Sequence, residues 1–210
     1  MKLTLNRIIK YLILSDLVFY TGWGLFNPVF AIFIVEKIQG GTPLVVGITT
    51  SIYWILMALL RLPFGIFLDN RRGERDDYSF TVVGLLIASF VPFGYLYATL
   101  PWHLYILQAI HAFGMAMSLA GWSAIFTRNI DPGKEATEWG LSATGYSVGT
   151  GLAGVIGGYL VERFDFPPVL VAVGVIGLIG VLLLLVIWPE IKKSDGGSDK
   201  RYLHPKEIPF

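Results

Sequence analysis

Residues 78–127 read YSFTVVGLLIASFVPFGYLYATLPWHLYILQAIHAFGMAMSLAGWSAIFT, and none of them is Asp, Glu, Lys or Arg. A charge-free run of this length holds two membrane spans of roughly 20 apolar residues each, with Pro101 at the turn between them. Further charge-free runs cover 17–35, 38–60, 139–161 and 166–189. Lipid gives backbone groups no hydrogen-bond partner, so such runs must be helices or closed barrels. They lack the strict alternation of barrel strands. The expected architecture is an all-α membrane protein with six transmembrane helices, at about 9–35, 43–68, 79–99, 102–127, 136–161 and 167–189. Residues 1–189 then form one domain. Residues 190–210, with Lys192-Lys193-Ser194-Asp195-Gly196-Gly197-Ser198-Asp199, are expected to be a mobile cytoplasmic tail.

Composition agrees with a multi-pass membrane protein. Mean hydropathy is +0.64, and charged residues are only 15% of the chain; soluble domains average about 25%. The first span is too long for a secretory signal and has no small-residue cleavage site after it. There is no cysteine, so thiolate and disulfide chemistry are excluded. A net charge of +1 gives no reason to expect nucleic acid as a partner. Thirteen of the sixteen Lys and Arg residues fall in the termini and the second and fourth loops, and only Lys37 and Arg163 fall on the other side. The excess of basic residues marks the cytoplasmic side. Both termini are therefore expected in the cytoplasm, in a multi-pass inner-membrane protein.

The segment Gly65-Ile-Phe-Leu-Asp69-Asn70-Arg71-Arg72-Gly73-Glu74-Arg75 follows the second span. It resembles the loop between the second and third helices of the major facilitator superfamily, Gly-x-x-x-Asp-basic-x-Gly-basic-basic. Asn70 replaces a basic residue, and Gly73 comes one position late. Span five, with Gly140, Gly149, Ala153-Gly154 and Gly157-Gly158, resembles the antiporter branch's Gly-x8-Gly-x3-Gly-Pro-x2-Gly-Gly. Here Ala153-Gly154 stands in place of Gly-Pro. Span four has Gln108 to Gly114 where the family often carries an arginine.

The resemblance implies one six-helix half of a transporter that normally has about twelve helices. Family halves are related by a twofold axis along the membrane normal, so a second copy of this chain is the expected partner. The resemblance also implies that Gly65, Asp69, Arg71, Arg72, Gly73, Arg75 and Glu138 form a cytoplasmic gate, with Asp69 facing the start of span five in the second subunit. Gly149, Gly154, Gly157 and Gly158 permit close helix approach and are the expected dimer-packing residues.

Two charges fall inside spans. Asp16 lies about 12 Å deep and Arg61 about 10 Å deep at 1.5 Å per residue. They are expected at similar depth: as a fixed ion pair, with Asp16 as a proton- or cation-binding site, or with Arg61 snorkelling to the headgroups and leaving Asp16 alone. Asp16, Tyr20, Trp23 and Asn27 recur at offsets of 4, 3 and 4, which is one helical face. Gln108, His111, Met115, Ser118 and Trp122 form a similar stripe on span four. In the family, the first and fourth helices line the central cavity. Asp16, Tyr20, Trp23, Asn27, Arg61, Gln108, His111 and Trp122 are thus the candidate substrate or proton site, with helix-to-helix packing as the alternative role.

The function expected is a secondary-transporter subunit, dimeric and working by alternating access, for a small molecule with protons as a candidate co-substrate. The alternative is a non-transporting membrane partner that packs against another membrane protein. Neither Ser123 nor its pairing with His111 or His103 has a nucleophile-elbow context, so an enzyme is not expected. No cofactor or metal is called for.

Overall fold

A computed structural model describes residues 5–71 and 73–196. Arg72, Lys2, Lys200, Arg201, Lys206 and the rest of the tail from 197 lie outside the described residues. Every regular element within them is helical. These are α1 Arg7–Phe26, a single 3-10 turn Asn27–Val29, α2 Phe30–Lys37, α3 Pro43–Asp69, α4 Glu74–Tyr95, α5 Pro101–Asn129, α6 Glu135–Phe164, α7 Phe166–Leu185 and α8 Trp188–Gly196.

Local chemistry sets most helix ends. Asn6 caps α1 by accepting from the Ile8 N–H at 2.9 Å. Thr42 caps α3 through the Val45 N–H, with Pro43 at the first helical position, where its missing N–H costs nothing. At the start of α5, His103 Nδ1 accepts from the N–H groups of Thr99 and Leu100. Pro28 has no N–H and its ring crowds the preceding turn, so the first span breaks into α1 and α2 around a 3-10 turn.

Five stretches are long and apolar enough to cross a membrane: Arg7–Lys37, Pro43–Asp69, Glu74–Tyr95, Pro101–Asn129 and Phe166–Lys193. The sixth, α6, is 30 residues long, about 45 Å at 1.5 Å per residue. It does not reach the same hydropathy because Gly, Ser, Thr and Glu dilute its apolar residues. The bundle therefore has six long helical segments, of which α6 is the most polar.

Helix packing makes an arc. α3 packs on α5, α5 on α4, α4 on α7, α7 on α1 and α1 on α6, while α1 and α5 touch only sparingly. The core is apolar, with Phe19, Phe26, Tyr95, Phe126 and Phe166 fully buried. Buried hydroxyls close interhelical bonds. Ser15 donates to the Gly180 carbonyl at 2.8 Å, joining α1 to α7, and Tyr78 donates to the Leu184 carbonyl at 3.2 Å, joining α4 to α7. At the α4–α5 crossing, a Cβ on Gly84 would run into the Gly114 carbonyl oxygen. Only glycine lets the two backbones come so close.

The two ends of the arc are bare. Only 6% of the α3 span is buried, against 44–61% in the four other candidate spans. On α6, only Glu138, Gly149, Ala153 and Gly157 are buried.

The helical unit runs past residue 189, where the expected domain ends. Ile187 and Ile191 are fully buried. Glu190 Oε1 meets Arg7 Nη1 at 2.7 Å, tying α8 to the start of α1. The hydrophobic spacing of Ile187 and Ile191 is one helical turn, and it holds the first part of the charged tail against the bundle.

At the end opposite the termini, Lys37 Nζ meets Asp165 Oδ2 at 2.8 Å. The Lys37 hydrogen bond and the Phe166 N–H hold the Asp165 carboxyl below its ordinary 3.8. A lowered carboxyl pKa adds stability above the ordinary value and loses it as pH falls through the folded value. The pair is exposed, so its contribution is below about 1 kcal/mol. Asp165→Asn is expected to lower the thermal midpoint slightly at neutral pH, with the difference shrinking as acid protonates the folded carboxyl. A midpoint difference that persists undiminished in acid would assign the effect to the left-handed Asp165 backbone (φ 65°) instead of the charge.

Candidate functional site

The concave side of the arc holds a cavity of about 640 Å³ lined by α1, α3, α5 and α6. The helical face of α1 delivers Asp16, Tyr20 and Trp23 to it, and Asn27 follows from the 3-10 turn. From α5 come Gln108, His111 and Met115. Two further walls escape the sequence reading: Thr50, Tyr53, Trp54 and Met57 on α3, and Trp139, Ser142 and Tyr146 on α6. Their signal is present as aromatics on otherwise apolar helices. Such residues are also enriched at lipid headgroups, so their spacing alone does not separate the two roles.

The aromatic walls interlock. Trp23 lies flat on His111, with ring centroids 4.0 Å apart and planes 8° apart. Tyr53 covers His111 at 4.8 Å. Tyr20 meets Tyr146 edge-on at 4.8 Å, the favoured quadrupole geometry for aromatic pairs. Three of the wall residues nevertheless stay open to the outside: Trp54 is 58% exposed, Tyr146 45% and Trp139 43%. Two buried polar atoms among the lining residues have no hydrogen-bond partner, Trp23 Nε1 and Gln108 Oε1. Buried polar groups are normally satisfied, so these two are open to a ligand or to water.

Arg61 and Trp122 stand elsewhere. Arg61 Nη2 hydrogen-bonds Ser123 Oγ at 3.4 Å and lines a separate pocket between α3 and α5 with Gly65, Asp69 and Arg128. The expected Asp16–Arg61 ion pair does not form. α1 and α3 do not pack against each other, and the cavity separates them. Trp122 is stacked on Phe126 at 4.5 Å and meets Trp139 at 5.8 Å. It buttresses the wall residue Trp139 without reaching the cavity. A stripe written at offsets of 3 and 4 drifts around a straight helix, so its far end, Ser118 and Trp122, leaves the face that begins at Gln108.

A family model described as Major Facilitator Superfamily matches residues 12–207. The chain belongs to the Major Facilitator Superfamily. Membership places it among multi-pass secondary membrane transporters, and the all-helical bundle agrees with that assignment.

In this major facilitator chain, the loop after α3 has a defined local structure. Asn70 Nδ2 donates to the Ile66 carbonyl at 2.9 Å and closes α3, which is the work an asparagine does in place of a basic residue. Gly73 precedes α4 at φ 144°, a conformation open to glycine and costly for other residues. Arg71 lies over the Phe67 ring at 4.4 Å and pairs with Asp76 at 3.4 Å. Arg75, the second residue of α4, is exposed. Asp69 is exposed and makes no ion pair among the described residues.

Two expected roles need correction. Glu138 is fully buried within its own chain, and its Oε2 accepts from the Asp131 N–H at 3.4 Å. It closes the α5–α6 turn from inside its own chain. Glu135 is exposed, with its carboxyl held below its ordinary range by the backbone N–H groups of Glu135 and Gly133. The second correction concerns the glycines of α6. A Cβ on Gly149 would run into Thr21 Oγ1, one on Gly154 would meet the Pro28 ring at 3.3 Å, and one on Gly157 would overlap the Leu25 carbonyl oxygen. These three pack α6 on the first span of the same chain. Of the four, only Gly158 has open space around it.

Proposed function

We propose that this chain is a subunit of a secondary transporter whose substrate cavity is completed by a second copy of the chain. The observation that carries the reading is the missing wall: Trp54, Trp139 and Tyr146 line the cavity yet remain about half exposed. A twofold axis along the membrane normal brings the concave sides of two copies together without inverting either one. Rocking of one copy against the other then opens the cavity to each side of the membrane in turn. The basic excess near the termini sets that end in the cytoplasm.

The helix faces supply a register for the pair. Gly47, Ser51, Ala58 and Gly65 lie within about 40° on one face of α3, and Gly140, Gly151 and Gly158 within about 20° on one face of α6, at 100° per residue. Gly47, Gly65, Gly140, Gly151 and Gly158 all have nothing within 4 Å of an added Cβ. Eighteen residues separate Gly47 from Gly65, and eighteen separate Gly140 from Gly158. α3 runs toward the terminal end and α6 away from it. Antiparallel pairing therefore sets Gly47 against Gly158, Trp54 against Gly151, Ala58 against Ser147 and Gly65 against Gly140 of the second copy. Small residues opposite one another give the close contact that drives helix association in lipid. Asp69 then falls beside the N-terminal end of the second copy's α6, where the helix dipole favours a carboxylate.

This register is testable because the chain has no cysteine. Ala58→Cys and Ser147→Cys, carried on separate co-expressed copies, are expected to cross-link. Copper phenanthroline followed by electrophoresis reads the result. Cross-links that form only between cysteines on α4 and α7 would refute the arrangement.

Asp16 is the coupling residue of this reading. It is the one charged side chain lining the cavity among the described residues, and an unpaired membrane charge is a functional group by default. Asp16→Asn is expected to keep expression and fold and to lower pH-gradient-driven uptake at least about tenfold, measured in vesicles with a pH-sensitive dye. Uptake that stays fully proton-driven in Asp16→Asn would remove this carboxylate from the mechanism. A cross-linked dimer that moves nothing would favour an assembly subunit.

A further inference from the structure

We infer that the cavity is built for a lipophilic organic cation, held by one carboxylate inside a cage of aromatic faces. The inference rests on the transporter reading for its site and adds the class of ligand. Charge is the first argument. Among the described residues, Asp16 is the sole formally charged group lining the cavity, and no Lys or Arg lines it. The nearest cation expected from the sequence, Arg61, is engaged with Ser123 in a different pocket. An anion entering this cavity would meet a carboxylate and no counter-charge. A cation neutralises it.

The second argument is the wall. Tyr20 and Trp23 stand one turn and two turns from Asp16 on the same face of α1. Tyr53, Trp54, Trp139 and Tyr146 face them from the other helices. Ring faces attract a cation, most strongly where water is excluded. They also cover an apolar substituent, which bulk water does not. The uncharged polar side chains on this wall that are not rings are Asn27, Thr50, Gln108 and Ser142, and its other uncharged hydrogen-bonding groups sit on aromatic or imidazole rings.

The third argument comes from the orphaned atoms. Gln108 Oε1 is a buried acceptor with no partner, and the side chain is 7% exposed. An N–H of a protonated amine satisfies it. Trp23 Nε1 is a buried donor without a partner on the opposite wall.

Tetraphenylphosphonium and tetraphenylborate test this directly, because they share size and shape and differ in sign. Binding of each is measured on the full chain in nanodiscs, with chain-free nanodiscs subtracted, by tryptophan quenching and by equilibrium dialysis. Saturable binding of tetraphenylphosphonium is expected, with none for tetraphenylborate. Asp16→Asn is expected to weaken it about tenfold or more, Tyr146→Leu about fivefold, and Arg61→Gln not at all. Equal binding of both ions, or full tetraphenylphosphonium affinity in Asp16→Asn, would overturn the inference. The comparison of the two ions on the unaltered chain stands even if a variant fails to fold. Binding without vesicle uptake would keep the ligand class and remove the transport reading. Uptake of neutral or anionic compounds by a chain that ignores tetraphenylphosphonium would keep the transport reading and remove the ligand class.

Discussion

Gly157→Leu is expected to break the attachment of α6 to the rest of the bundle. A Cβ at this position would overlap the Leu25 carbonyl oxygen and sit 2.5 Å from its carbon. Those are backbone atoms beside the Pro28 break, so no rotamer change relieves the contact. Ordinary overpacking costs about 1–3 kcal/mol, and a clash with backbone exceeds that range. α6 has few other holds: it packs mainly on α1, and touches α7 lightly. Gly158→Leu is the matched control, since nothing lies within 4 Å of a Cβ there. The single-chain thermal midpoint in detergent should fall by many degrees in Gly157→Leu and stay near that of the parent in Gly158→Leu. Gly158→Leu should instead weaken the dimer, read by cross-linking yield. A Gly157→Leu chain that melts like the parent would show that α6 is held by something other than this close approach.

Arg128→Leu carries the second large effect. Arg128 Nη2 pairs with Asp77 Oδ2, joining the last turn of α5 to the first turn of α4. Asp77 is 2% exposed. Each charge also sits at the favourable end of its own helix: Asp77 near the N-terminus of α4, and Arg128 near the C-terminus of α5. Removing the arginine leaves a buried carboxylate without its counter-charge, at a cost of about 3–5 kcal/mol. The dipole of α4 still supports Asp77, which places the loss toward the lower end. The double variant Asp77→Leu/Arg128→Leu removes both charges and should recover most of the stability. Chemical denaturation of the two variants in detergent separates the outcomes. Equal destabilisation of single and double variants would show that the pair contributes packing and no electrostatics.

The cavity face of α1 is legible in the spacing of its residues. Offsets of 4, 3 and 4 carry Asp16, Tyr20, Trp23 and Asn27 to one side, and one cavity receives all four. The α5 stripe is legible only at its beginning, where Gln108 and His111 reach the cavity and Trp122 does not. Arg61 departs from expectation for a different reason. Its depth follows from position in the chain, but its direction follows from where α3 sits, and α3 packs on α5 with the cavity between it and α1. The glycines of α6 are packing residues, as their spacing implies, but their neighbour is not the one expected. Gly149 and Gly157 meet α1 of their own chain, while Gly140, Gly151 and Gly158 are open.

The helical membrane class and the likeness to the major facilitator superfamily are legible from the residues alone. Long charge-free runs leave lipid-embedded backbone only one economical structure, and the arginine-rich loop after α3 resembles that family's. Which faces meet is legible only in the packed bundle. A period of 3.6 residues places a side chain on a face of its own helix and carries no information about what stands opposite. Whether a glycine admits its own α1 or a second copy, and whether Asp16 meets Arg61 or an open cavity, depends on the order of helices around the arc. That order is set by contacts between residues far apart in the chain, such as Ser15 with Gly180 and Leu25 with Gly157.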